Sequence, residues 1–267
     1  MLTGSEPRLW WDAAGAGEPP LLLIQGLGYT ADMWHRIVRP LGETRRVIRF
    51  DNRGVGRSDL PDDPSGGEWS MEDMADDAVR VLDAAGVESA YVFGVSMGGV
   101  IAQEVALRHP DRVRGLILGC THPSGRDAVR ASPEAVAMLF DRTPRSARDA
   151  IEASVPFIYA DDTPRDRIDE DVAVRLRWPL RAKAYWGQLD AMRRHGGLLD
   201  RLRGLDVPTL VMHGTADRLV QPGNARLLAE AIPGAQLEWL DGASHVFWTD
   251  RPEQSVALVE KFLATAG

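Results

Sequence analysis

Short apolar runs alternate with stretches of helical spacing along most of the chain. The run at residues 20–25 is apolar nearly throughout, as a strand covered on both faces must be. Further strands are predicted at 46–51, 89–93, 113–119, 207–212 and 236–240, with a short first one at 8–12 ending before Gly15 and Gly17. Between them, residues 31–41 place Met33, Trp34, Ile37, Val38 and Leu41 at helical spacing. Met74, Ala78, Val81, Leu82 and Ala85 form one inward stripe, opened by a Ser70 cap with Asp73 near the reciprocal position and closed at Gly86. Helices are also predicted after Ser96, at 223–231 and at 252–264. Such alternation calls for parallel strands joined by right-handed crossovers.

The alternation breaks between 121 and 204. Helical pieces at 133–140, 146–154, 169–176 and 182–194 follow one another there, separated or bordered by Pro144, Pro156, Pro164 and Pro179. The expected organisation is an α/β core built from 1–120 and 205–267, a mostly parallel sheet flanked by helices, with 121–204 inserted as a helical cap. No flexible linker, internal repeat or low-complexity tract divides the 267 residues.

Composition narrows the function classes. Hydrophobic content of 44% and charged content of 26% suit a soluble globular chain. A net charge of -8 with no cluster of Lys and Arg argues against a nucleic-acid partner. No run reaches membrane-spanning length, the amino end lacks a signal-peptide pattern, and Cys120 is the only cysteine, which together lead to the expectation of a cytoplasmic protein without internal disulfides. Cys120 itself reads as a small buried residue. Composition leaves homo-oligomerisation open.

The chemistry starts at Gly94-Val95-Ser96-Met97-Gly98, a G-x-S-x-G pattern where an apolar run stops and a small-residue helix begins. A serine in so tight a turn needs neighbours without bulky Cβ groups, and the turn lifts its hydroxyl clear of the sheet. A serine hydroxyl is a weak nucleophile, so it needs a base and a group to hold that base. In an open parallel sheet reacting groups gather past the carboxyl ends of strands, which filters the six histidines. His245, just past the last strand, satisfies it best. His122 follows a central strand and is the competitor, whereas His35, His109, His195 and His213 read as surface, packing or loop-supporting residues. The same filter leaves Asp217 and Asp51 as the orienting acid. Asp217 falls between Ser96 and His245 in the order Ser, Asp, His, and Asp51 reads as the tie of its own loop to Arg53 or Arg57. The amides of Met97 and of Leu27, in the turn Gln25-Gly26-Leu27-Gly28, are the expected oxyanion donors. Tyr29, Trp34, Met97, Trp178, Trp186 and Phe247 are candidate substrate contacts, favouring a hydrophobic or ring-bearing acyl group over a highly charged one.

These motifs, with the loop Phe50-Asp51-Asn52-Arg53-Gly54-Val55-Gly56-Arg57-Ser58, Gly214-Thr215-Ala216-Asp217 and Gly242-Ala243-Ser244-His245, resemble the α/β-hydrolase family across essentially the whole chain. Within it the chain is similar to the 3-oxoadipate enol-lactonase and cofactor-free perhydrolase branch. Gln25-Gly26 stands where many members have His-Gly. The serine at the elbow argues against the dehalogenase and epoxide hydrolase branches, for which the resemblance implies an aspartate. Residues and resemblance converge on transfer of an acyl group from an ester, thioester or lactone of a small molecule to water, with no metal or organic cofactor required. A perhydrolase, a carbon-carbon bond hydrolase and a non-catalytic small-molecule receptor are the alternatives.

Overall fold

The computed structural model describes residues 1–61 and 69–266. In chain order it contains β1 (Trp11–Ala14), β2 (Leu21–Ile24), α1 (His35–Gly42), β3 (Val47–Phe50), α2 (Met71–Ala84), β4 (Ala90–Val95), α3 (Met97–Arg108) and β5 (Val113–Gly119). There follow α4 (Pro133–Leu139), α5 (Ala147–Ile158), α6 (Arg165–Leu176), α7 (Ala182–Arg194) and α8 (Leu199–Leu202). The chain ends with β6 (Thr209–Gly214), α9 (Gly223–Ala231), β7 (Gln236–Leu240), α10 (Phe247–Asp250) and α11 (Pro252–Thr265). The strands form one seven-stranded sheet in the order β1-β3-β2-β4-β5-β6-β7. All neighbours run parallel except β1, which pairs antiparallel with β3 at one edge.

Alternation along the strands separates two cores. Leu22, Ile24, Val92, Leu116, Leu118 and Val211 face α2 and α3, while Leu21, Leu23, Phe93, Ile117, Leu210 and Met212 face α1 and α11. Every residue of β2 and β4 is buried, and each large apolar side chain so covered contributes about 1.5–3 kcal/mol. The Ser70 cap of α2 is a reciprocal capping box with Asp73.

Several boundaries differ from the sequence reading. The stretch 31–41 divides into a 3-10 turn, Ala31–Trp34, and α1. The first strand is shifted toward the loop, α5 continues through Pro156 to Ile158, and α6 starts four residues earlier than expected. Two short helices, α8 and α10, follow no long periodic pattern and were not anticipated.

The register aligns the strand ends: Ile24 lies beside Gly94, Val95 beside Gly119 and Gly214 beside Leu240. The loops carrying Gln25–Tyr29, Ser96, His122, Asp217 and His245 therefore leave from one edge of the sheet. Helices α4 to α7, between β5 and β6, supply much of the opposite wall of a cavity there. Helix α6 is anchored by Asp171, which is fully buried. Its carboxylate accepts hydrogen bonds from His35 Nε2 (2.9 Å), Arg36 (3.3 Å), Tyr159 (3.0 Å) and Thr249 (2.6 Å). No helix among the described residues is long and apolar enough to cross a membrane.

Replacing Asp171 by Ala leaves four donors, one of them on the Arg36 guanidinium, without this acceptor. The unfolding free energy, measured by urea titration, is expected to fall by about 3 kcal/mol or more. A loss under about 1 kcal/mol would show that α6 is held by packing alone.

Candidate active site

Ser96 has φ 54 and ψ -124, a conformation that an L-residue adopts only under constraint, at a cost of about 1–3 kcal/mol. The constraint comes from strand and helix meeting with no space between them. A Cβ on Gly94 would lie 2.1 Å from the Gly98 carbonyl oxygen, and one on Gly98 would lie 2.3 Å from that of Ile24. Hydrogen bonds fix the turn on both sides: Ser96 N donates to Gly119 O (2.9 Å), and Thr121 Oγ1 donates to Ser96 O (2.6 Å).

His245, buried in the loop after β7, points Nδ1 at Asp217 Oδ2 across 2.9 Å. A carboxylate only accepts, so Nδ1 carries the proton and Nε2 is left with its lone pair. The other Asp217 oxygen, Oδ1, accepts from the amides of Leu219 (2.8 Å) and Val220 (2.9 Å). His213 supports the same loop. Its Nε2 donates to Val220 O (2.9 Å) and lies 3.3 Å from Asp217 Oδ2. Burial alone would raise the pKa of Asp217. Electrostatic attraction from the His245 and His213 rings, with their hydrogen bonds, outweighs it and holds the carboxyl below the usual carboxylate range.

Ser96 and His245 both line a cavity of about 540 Å³, together with Gln25, Gly26, Leu27 and His122. A Cβ on Gly26 would sit 3.1 Å from Ser96 Cβ, so the glycine turn passes directly over the serine. Met97 is the first residue of α3, where a backbone amide has no intrahelical acceptor, and its side chain lies in the core. The turn is braced by Gln188, whose Oε1 accepts from Gly28 N (3.0 Å) and whose Nε2 donates to Arg53 O (3.1 Å). Gln25 is fully buried: Oε1 accepts from Gly26 N (3.2 Å), and Nε2 has no partner among the described residues.

The competing groups are occupied elsewhere. His122 reaches the cavity, but its Nδ1 accepts from Ser124 N (3.0 Å), and burial, with the neighbouring imidazoles, pushes its pKa down to about 4. Asp51 binds the Arg57 guanidinium (2.7 Å) and the Ala31 amide (2.8 Å), and Arg53 pairs instead with Asp77 (2.6 Å). His195 bonds Glu104 (3.0 Å), and His109 bonds Asp76 (2.7 Å). Cys120 is buried. Among the described residues, Cys120-His213-Asp217 and Glu72-Glu104-His195 bring metal-type ligand atoms within 4.8 Å of one another. In each, the buried carboxylate is already taken up, Asp217 by two histidines and Glu104 by His195 and Arg201, and Glu72 lies 3.8 Å from His195.

Of the candidate contact residues, Tyr29 lines the cavity and the other aromatics do not. Trp34 is fully buried between Phe93 (5.2 Å between ring centroids) and Trp248 (5.1 Å). Phe247 is turned by α10 beneath the sheet, against Gly119 and Trp248. Trp178 donates to Asp32 (3.1 Å) on the surface, and Trp186 packs between Phe140 and Tyr185. The walls come instead from Met138, Leu139, Phe140, Ile158, Trp248 and a stripe on α7. That stripe, Tyr185, Leu189 and Met192, has the spacing of one helix face and was visible in the sequence. Arginines also reach the cavity, where the candidate aromatics alone favour a hydrophobic or ring-bearing acyl group over a highly charged one.

A family model described as the alpha/beta hydrolase fold matches residues 19–154. The chain belongs to the α/β-hydrolase fold family. It is 32% identical to a protein provisionally named carbamate hydrolase RutD from Azorhizobium caulinodans, over 94% of this chain and 92% of that one. It is 28% identical to the pimeloyl-[acyl-carrier protein] methyl ester esterase of Aeromonas hydrophila, over 92% and 95% of the two chains. Among solved structures it superposes on the enol-lactonase from Burkholderia xenovorans LB400 with a TM-score of 0.81, at 27% identity and covering 96% of each chain.

The lowered Asp217 carboxyl sets the sign of a pH effect. A group more acidic in the folded protein than in the unfolded chain, where it titrates near about 3.9, stabilises the fold above that pH and loses its contribution as pH falls through the folded value. The gap in unfolding free energy between the wild type and Asp217→Asn, followed by urea titration, is therefore expected to be wide at neutral pH and to narrow below about pH 4. A gap that widens on acidification would reverse the sign.

Proposed function

We propose that this α/β hydrolase is a serine hydrolase that cleaves a carboxylic ester, thioester or lactone of a small to medium substrate through an acyl-enzyme. The reading rests on one observation: the Asp217-bound His245 and the strained Ser96 open onto the same cavity. His245 Nε2 takes the Ser96 proton as Oγ attacks the carbonyl carbon, and Asp217 stabilises the imidazolium formed. The amides of Leu27 and Met97 receive the oxyanion, each worth about 3 kcal/mol in serine enzymes of known mechanism. The imidazolium then gives its proton to the leaving alcohol or thiol. A water, deprotonated by the same nitrogen, attacks the acyl-enzyme and releases the acid and the free Ser96 hydroxyl.

His122 is a poor second base on this reading, because its Nδ1 is occupied and no carboxylate orients it. The methyl ester esterase and enol-lactonase relatives favour ester and lactone substrates. Transfer of the same acyl group to peroxide, carbon-carbon cleavage, and ligand binding without turnover are separated by activity on p-nitrophenyl esters, lactones, peracid formation and diketones. The helices of 121–204 act on this proposal as the cap that selects substrates.

A fluorophosphonate probe should label the wild type and not Ser96→Ala; equal labelling of both would refute the nucleophile. On p-nitrophenyl esters, His245→Ala and Asp217→Asn are each expected to lower kcat by on the order of 10³–10⁴-fold, and His122→Gln by less than about tenfold. The reverse ranking of the histidines would transfer the role of base to His122.

A further inference from the structure

The charge on the cavity wall runs against the charge of the protein. The chain carries a net charge of -8. Yet the described residues lining the cavity include Arg126, Arg130, Arg175 and Arg193 and not one Asp or Glu. The four are not equivalent. Arg193 pairs with Asp190 (2.7 Å), Arg126 is exposed and faces Asp127 across 3.9 Å, and Arg130 is exposed at the rim.

Arg175 is half-buried on α6, and no carboxylate among the described residues pairs with it. Its guanidinium lies 4.6 Å from the centre of the Tyr29 ring, and Nη1 donates to Ser154 Oγ (3.2 Å). Ser154 in turn donates to Ile151 O (2.6 Å). One of five N–H groups is thereby used, which leaves donors for a ligand. The nearest acid on the same helix, Asp171, is one turn away and bonded to His35, Arg36, Tyr159 and Thr249. A partly desolvated cation costs free energy that a ring face recovers only in part, whereas a bound carboxylate would recover more through paired charge-assisted hydrogen bonds. Tyr29 also ties the position to the reacting centre, because it follows the glycine turn that passes over Ser96.

We propose that Arg175 is the specificity-determining residue of the cavity, and that the substrate is an ester or lactone carrying one carboxylate, separated by an apolar spacer from the carbonyl that Ser96 attacks. Apolar side chains of the cavity wall cover the spacer, and the carboxylate pairs with the guanidinium above Tyr29. This inference rests on the serine-hydrolase reading for the identity of the scissile bond.

The test measures binding in the Ser96→Ala background, where no probe is consumed. Monomethyl adipate carries its carboxylate on the acyl side and 6-acetoxyhexanoate on the alcohol side; each is compared by calorimetry with its uncharged methyl ester. At least one acid is expected to bind roughly tenfold or more tightly than its methyl ester, and which one does so assigns the side. Adding Arg175→Gln should abolish that advantage while changing the affinity for the neutral esters by less than about threefold, and Arg175→Lys should restore part of it. In the enzyme with Ser96 intact, Arg175→Gln should raise KM for the preferred anionic ester far more than it lowers kcat. The inference is overturned if neither acid outbinds its methyl ester, or if the advantage survives Arg175→Gln. Fluorophosphonate labelling keeps the two readings apart. A labelled enzyme without a charge preference loses only the carboxylate, whereas an unlabelled wild type loses the acyl chemistry.

Discussion

The site depends on a single close approach. Strand β4 hands the chain to α3 across Gly94, Ser96 and Gly98, where two backbones lie nearer than any Cβ would allow. Ser96 is forced to positive φ by that contact and held there by Gly119 and Thr121 from the neighbouring strand end. The strain is local, but what maintains it is the packing of the whole sheet against α3, ten of whose residues from Met97 to Ala106 are buried. A serine raised this way stands clear of its strand with the first amides of a helix beneath it, which suits a nucleophile more than a structural hydroxyl.

Around this turn, the remaining parts are placed by topology. Parallel strands with aligned ends deliver every intervening loop to one edge, so residues remote along the chain meet without any of them being adjacent in sequence. The Asp217 loop shows how such a placement is made rigid. Two backbone amides and two imidazoles converge on one carboxylate, which fixes the His245 ring and its tautomer before any substrate arrives.

The helices between β5 and β6 give the cavity its other character. They bring apolar side chains and arginines to a space whose floor is the strand edge, and buried polar contacts such as Asp171 and Gln188 hold them in position. A mostly apolar chamber with one under-compensated guanidinium is a different device from a plain hydrophobic pocket. On the proposal above it selects on charge, where arginines are concentrated on a chain of net negative charge.

The sequence by itself determined the order of the strands and the longer helices, the elbow at Ser96, and the strand-end positions of Asp217 and His245. Each of these is written in a few consecutive residues: an apolar run, a glycine-bounded turn, a short polar loop. The tertiary structure alone decided which of the candidate aromatics reach the cavity. Trp34 and Phe247 carry the same local signal as Tyr29, yet they lie in the core, since a side chain's direction depends on how its turn or helix is rotated against the rest. A shift of one residue turns a helical side chain by about 100°. Arg175 was invisible for the same reason. Its meaning lies in the carboxylates that other elements withhold from it, and no stretch of sequence around residue 175 records what packs opposite.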